Sequence, residues 1–126
     1  MSKKVVTTHN APGAVGPYSQ AIIANGLVFT AGQIAIVPGT SDIAAGGIQE
    51  QTAQVLRNVA AVLEAAGSSL DKVVKTTVFL KNVSDFAAMN ETYVTFFPAE
   101  RPARSTVQAE LPRADALVEI EVIALA

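Results

Sequence analysis

Arg104 enters a β-prone run, Arg104-Ser105-Thr106-Val107, directly after Arg101-Pro102-Ala103. Pro102 fixes φ and resists helix, so the guanidinium of Arg104 leaves the first residues of a strand in a set direction, placed to hold an anion. The C-terminal run Leu117-Val118-Glu119-Ile120-Glu121-Val122-Ile123 is the other chemical candidate. Read with a period of two, Val118, Ile120, Val122 and Ala124 make one apolar face, and Leu117, Glu119, Glu121, Ile123 and Leu125 make the other. Two carboxylates thus sit amid apolar neighbours, and a short turn over residues 111–115 is expected to bring them beside the arginine.

These residues allow two readings. Guanidinium is the preferred two-pronged partner of a small carboxylate. Charges flanked by apolar residues are also normally paired, so Arg104 could instead neutralise Glu119 or Glu121. Glu119 is a structural partner in the second case, and in the first a general base whose proton affinity is raised by partial burial. His9 is the only histidine and there is no cysteine, which removes Cys-His chemistry and the common zinc sites. No G-x-S-x-G elbow, P-loop or G-x-G-x-x-G is present, so neither a serine triad nor a nucleotide cofactor is supported.

The elements that must position these groups follow from pattern. Val5-Val6-Thr7-Thr8 is a short β-prone piece, and Tyr18–Ile23 resumes as a strand after Pro12-Gly13 and Gly16-Pro17. Asn25-Gly26 then joins it to a strand over Leu27–Ile36, because both central residues of a type I′ turn need φ > 0. Gly32 inside that strand marks a bulge or a close approach by a ligand or another backbone. Apolar residues at spacings of three and four from Ile48 to Ala66, ended by Gly67, predict an amphipathic helix. Val73–Leu80 predicts a strand with Val74, Thr76, Val78 and Leu80 on one face. Ser84 is placed to cap a second helix that carries Phe86, Met89, Asn90, Tyr93 and Phe97 on one side. The last two strands, Arg104–Glu110 and Ala116–Leu125, are expected to pair as a hairpin.

This order predicts one α+β domain over residues 1–126, with two helices on one face of a mixed sheet. The opposite face still presents Leu117, Ile123 and Leu125, which predicts a symmetric homo-oligomer with sheets packed on one another. The chain is 50% hydrophobic with 16% charged residues, yet it holds no apolar run long enough to span a bilayer. Two N-terminal lysines without a following apolar core give no secretory signal, so a cytoplasmic protein is expected. Net charge −2 with nine scattered Lys and Arg leaves little electrostatic footprint for nucleic acid, so no nucleic-acid partner is expected.

Taken in order, Gly16-Pro17-Tyr18-Ser19-Gln20-Ala21, Thr30-Ala31-Gly32-Gln33-Ile34, Val74–Leu80, Asn90-Glu91-Thr92-Tyr93, Arg101–Ser105 and Val118–Glu121 resemble the successive motifs of the Rid family (RidA/YjgF), the reactive intermediate deaminases. The resemblance covers essentially the whole chain. It implies a chorismate-mutase-like fold, assembled as a homotrimer with three inter-subunit clefts. It implies cofactor-free hydrolysis of 2-imino acids and their enamine tautomers, such as 2-aminoacrylate and 2-iminobutanoate, to 2-keto acids and ammonia. By that likeness Arg104 holds the substrate carboxylate and Glu119 activates water, while Tyr18, Thr30, Gly32, Asn90 and Thr106 line the cleft. Many relatives carry cysteine where this chain has Thr106. The competing functions are a small-carboxylate-binding or regulatory protein on the same fold, an endoribonuclease or translation inhibitor, and a chorismate mutase.

Overall fold

The computed structural model describes residues 2–126. Six strands, β1 (Lys4–Val6), β2 (Ala21–Ala24), β3 (Leu27–Thr30), β4 (Val73–Leu80), β5 (Ala103–Gln108) and β6 (Val118–Leu125), form one mixed sheet in the order β1-β2-β3-β6-β4-β5. Helices α1 (Ile48–Ala65) and α2 (Phe86–Phe96) cover one face. The architecture is α+β, with two helices on one face of a mixed sheet. No helix among the described residues is long and apolar enough to cross a membrane.

The core lies where two periodicities meet. Val55, Leu56, Val59, Val62 and Leu63 form the fully buried stripe of α1, set by the 3.6-residue repeat. Val118, Ile120, Val122 and Ala124 of β6 are buried beneath the helices, set by the period of two. Gly67, at φ +80, follows the end of α1 as expected. The other face of the sheet carries Val5, Phe29, Val107 and Leu125, all exposed. Val5, Ile22, Phe29 and Ile123 line up there as successive cross-strand partners.

Several expectations need correction. β5 and β6 do not form a hairpin: β5 runs parallel to β4, with Thr76 beside Arg104, and β6 runs antiparallel along the other edge of β4. The cause is α2, the crossover that a parallel neighbour requires; it lays β5 at the sheet edge and leaves β6 only the far side of β4. Tyr18, Ser19 and Gln20 are irregular, and β2 begins at Ala21. β3 ends at Thr30 rather than Ile36, and β5 at Gln108 rather than Glu110. In β4 it is Val73, not Val74, that shares the buried face with Thr76, Val78 and Leu80, because a bulge between Val73 and Lys75 pushes Val74 outward. Ser84 makes no capping bond; it lies in a 3₁₀ turn over Val83–Asp85, and α2 starts at Phe86 with Asp85 preceding it. Along α2, Met89, Tyr93 and Phe97 are buried, whereas Phe86 stays 42% exposed.

The β2–β3 hairpin is held by left-handed residues at both turn positions, Asn25 at φ 53 and Gly26 at φ 79. A β-branched residue cannot adopt that backbone freely, so Gly26→Val should lower unfolding free energy by roughly 1–2 kcal/mol. Urea denaturation checks this; an unchanged midpoint would mean that the turn tolerates another geometry.

Candidate functional site

One group of site residues gathers around the break between β3 and β6. After Thr30 the ladder is interrupted: the Val122 N–H donates to Thr30 Oγ1 at 3.0 Å, and pairing resumes where Gln33 and Ile120 exchange both backbone bonds at 2.9 and 3.1 Å. Ala31 and Gly32 together oppose the single residue Glu121, a bulge. Its purpose is visible in the packing. A Cβ on Gly32 would lie 2.9 Å from Cδ of Glu119 and overlap its Oε2. The bulge and the close approach offered as alternatives for Gly32 are therefore both present, and what comes close is the Glu119 side chain.

Glu119 lies on the sheet face away from the helices, in one row with Phe79 and Val107. Half-burial raises its pKa above the ordinary 4.5, and the neighbouring Glu121 raises it further. It opens onto a cavity of about 760 Å³ bounded by the 12–18 segment with Tyr18, the 31–36 segment, and Pro112-Arg113. Tyr18 is half exposed, and its hydroxyl accepts the Val15 N–H at 3.2 Å. Arg113 is already committed to Asp115 at 2.9 Å and to the Ser41 carbonyl.

The second group lies elsewhere. Arg104 pairs in register with Thr76, whose hydroxyl meets Tyr93 of α2, so Arg104 faces the helix side of the edge strand. Its Nη1 donates to Asn90 Oδ1 at 2.8 Å, and its guanidinium lies 4.7 Å from the ring centroid of Tyr93 and 5.5 Å from that of Phe86. The Nε and Nη2 edge has no partner among the described residues. Thr106, two residues on, has a buried hydroxyl oxygen without a hydrogen bond. The ion pair of Arg104 with Glu119 or Glu121 does not form within the chain: the one salt bridge among the described residues is Arg113–Asp115. Arg104 and Glu119 stand on opposite faces with β4 between them. Of the residues singled out in the sequence, Tyr18, Gly32 and Glu119 thus come together with Thr30 behind them, and Asn90, Arg104 and Thr106 form a separate set.

A family model described as endoribonuclease L-PSP matches residues 8–126. The chain belongs to that family, the Rid/YjgF proteins. It is 52% identical to a RutC family protein of Pyrococcus horikoshii over 122 residues, covering 97% of each chain. It is 40% identical over 124 residues to the human protein named 2-iminobutanoate/2-iminopropanoate deaminase, covering 98% of this chain and 90% of that one. The solved structure of the Rid-family protein YyfA from Yersinia pestis superposes with a TM-score of 0.94 at 48% identity, covering 99% of this chain and 100% of that one.

Three buried amides that frame this candidate site escaped the sequence reading. Asn58 donates to the carbonyls of Ile34 and Ile36 at 3.2 and 2.8 Å, fixing the segment that carries Gly32. Gln51 accepts the Leu117 N–H at 2.9 Å and donates to the Asp115 carbonyl at 3.0 Å, fixing the entry to β6. Gln20 binds backbone groups of Thr8 and Pro12, fixing one wall of the cavity. A signal existed: Gln51 and Asn58 fall in step with Val55 and Val62 on the apolar stripe of α1, where an amide needs a partner.

Because folding raises the pKa of Glu119, its protonated form favours the native state. That contribution is whole below pH 4.5 and is lost as pH rises through the folded value. Glu119→Gln should therefore match the wild type in melting temperature near pH 4 and exceed it at pH 7; equal melting curves across that range would remove the burial argument. Gly32→Ala should drive the carboxylate out of its notch and into water. The pKa of Glu119, followed by carbon-13 NMR of its side chain, should then fall toward 4.5, and a titration matching the wild type would refute the packing role of Gly32.

Proposed function

We propose that this Rid protein is a hydrolytic deaminase of small 2-imino acids, 2-iminobutanoate and 2-aminoacrylate among them, working without a cofactor as a homotrimer. The observation that carries the reading is the Arg104 guanidinium, held by Asn90 and two aromatic rings, with no carboxylate to neutralise it among the described residues. Such a cation with a free fork is suited to a small carboxylate. The carboxylate that could do chemistry, Glu119, cannot reach the same ligand from within one chain. A second copy packed against the edge strand β5, which carries Arg104 and the exposed Val107, can bring its own Glu119 and Tyr18 to the Arg104 of the first. The names carried by the human relative and by RidA of Arabidopsis thaliana support the chemistry.

In this mechanism Arg104 takes the substrate carboxylate and the imine carbon faces a water beside Glu119. With the imine nitrogen protonated from solvent, Glu119 removes a proton from water as the water oxygen bonds to C2 and the C=N electron pair moves to nitrogen, giving a neutral carbinolamine. The Glu119 carboxylic acid then protonates the nitrogen, and as the C–N bond breaks the hydroxyl oxygen forms C=O and gives its proton back to the Glu119 carboxylate, so that ammonia and the 2-keto acid leave and the last proton passes to ammonia or solvent. A raised pKa suits a group that is base in one step and acid in the next. An imine beside a carboxylate is already electrophilic, so positioning and one proton carrier suffice. The ribonuclease activity in the family's description is the weaker reading for a chain of net charge −2.

A threonine dehydratase coupled to this protein, with 2-keto acid formation followed against the uncatalysed rate, tests the function. No acceleration refutes it. Arg104→Lys keeps the charge but loses the planar fork and should cost roughly 2–5 kcal/mol of transition-state binding, a fall of well over tenfold, while light scattering still reports a trimer. Glu119→Gln should keep 2-oxobutanoate binding and lose turnover. A fully active Arg104→Lys protein would refute the carboxylate clamp, and a stable monomer would refute the shared cleft.

A further inference from the structure

Arg104 is the residue that must be aimed, and a single hydrogen bond to Asn90 does not fix the plane of a guanidinium that can still rotate about it. A second support comes from Tyr93. It is buried, its ring centroid is 4.7 Å from Cζ of Arg104, and its hydroxyl is tied at 2.9 Å to the hydroxyl of Thr76, itself fully buried. Thr76 is the residue beside Arg104 in the β4–β5 ladder. Phe97 packs against the Tyr93 ring from one turn on, with centroids 4.7 Å apart. The ring is thereby fixed relative to the strand that carries the arginine, through a neighbouring strand and a helix. Phe86 also borders the guanidinium, at 5.5 Å, but it is 42% exposed and lacks such an anchor.

We propose that Tyr93 is a positioning residue for the carboxylate clamp: its anchored ring sets the plane of Arg104 so that the Nε and Nη2 edge stays turned toward the ligand. This rests on the reading of Arg104 as the holder of the substrate carboxylate. The ring does two things for that role. The negative face of an aromatic ring attracts a guanidinium lying near it, an attraction that strengthens where water is partly excluded. It also satisfies the cation without using a hydrogen-bond donor, so the fork stays available, which a carboxylate partner in the same place would prevent. Tyr93 touches neither the reacting carbon nor Glu119, so its effect should be confined to binding of the carboxylate.

The test measures affinity for 2-oxobutanoate by calorimetry, together with KM and kcat on 2-iminobutanoate, for the full-length assembled protein. Tyr93→Leu, which removes the ring, should weaken 2-oxobutanoate binding about tenfold and raise KM in parallel, with kcat within twofold of wild type. Tyr93→Phe keeps the ring and loses only the tie to Thr76, so it should restore affinity to within threefold. If the leucine variant does not fold, Tyr93→Met, which fills the same space flexibly without a π face, replaces it with the same expectation. Wild-type affinity in Tyr93→Leu or Tyr93→Met, or a loss confined to kcat, overturns the proposal. So does a phenylalanine variant as weak as the leucine one. A wild-type protein that neither binds 2-oxobutanoate nor accelerates imine hydrolysis overturns the functional reading itself, and this inference with it; a competent wild type with an indifferent Tyr93→Leu overturns this inference alone.

Discussion

The position of β4 between β5 and β6 governs everything that the charged residues can do. A parallel strand pair needs a crossover, α2 supplies it, and β5 is left at the edge of the sheet. Side chains alternate between faces, and the β4 partners of Arg104 and Glu119, Thr76 and Phe79, are an odd number of residues apart. The arginine therefore turns toward the helices and the glutamate away from them. No side-chain rotation can undo a difference set by the parity of the backbone. One chain carries two separate clusters, each complete in its local supports and each without the other's charge.

Those local supports differ in kind, and the difference follows from what each cluster must hold. Around Glu119 the task is to keep irregular backbone in place, because the bulge at Ala31-Gly32 gives up ladder bonds. Buried amides can do this, since an amide both donates and accepts and so satisfies carbonyls and N–H groups that no strand reaches. Asn58, Gln51 and Gln20 act in this way from three directions. Around Arg104 the task is to hold a cation without consuming its donors, and aromatic faces answer it. Apolar surroundings near Glu119 raise its proton affinity, and aromatic surroundings near Arg104 leave its fork unpaired; each state costs free energy in the isolated chain. In the cleft proposed between two copies, a ligand carrying a carboxylate and a basic nitrogen would relieve both at once.

The features legible in the sequence were those fixed by short-range rules. The Asn25-Gly26 turn, the α1 stripe with its stop at Gly67, the limits of β4 and the two faces of β6 each depend on residues within a few positions of one another. The pairing of β5 was not legible, because Leu111-Pro112-Arg113-Ala114-Asp115 is as good a link between neighbouring strands as between strands with a third inserted. The early end of β3 was hidden because Ile34 and Ile36 continue an apolar alternation that only the bulge interrupts. Ser84 met the compositional rule for a cap, yet the 3₁₀ turn starting at Val83 moved the helix start past it. For the candidate site, the grouping was not readable: motifs name Arg104, Glu119, Gly32 and Asn90, but which of them meet depends on strand order.

Gly32 shows how a local rule and a distant contact join. By its own sequence it is an exception in a strand, permissive and costly. In the fold its missing side chain is the space that the Glu119 carboxyl occupies, across a strand pair whose ladder has been opened to admit it. An alanine ladder would be a better strand and would leave the glutamate in water, where its pKa would be ordinary and its geometry free. The chain accepts a weaker strand in order to keep one carboxyl half-buried beside a cavity. Stability of the sheet alone gives no reason for that exchange; the proton-carrying role proposed for Glu119 does.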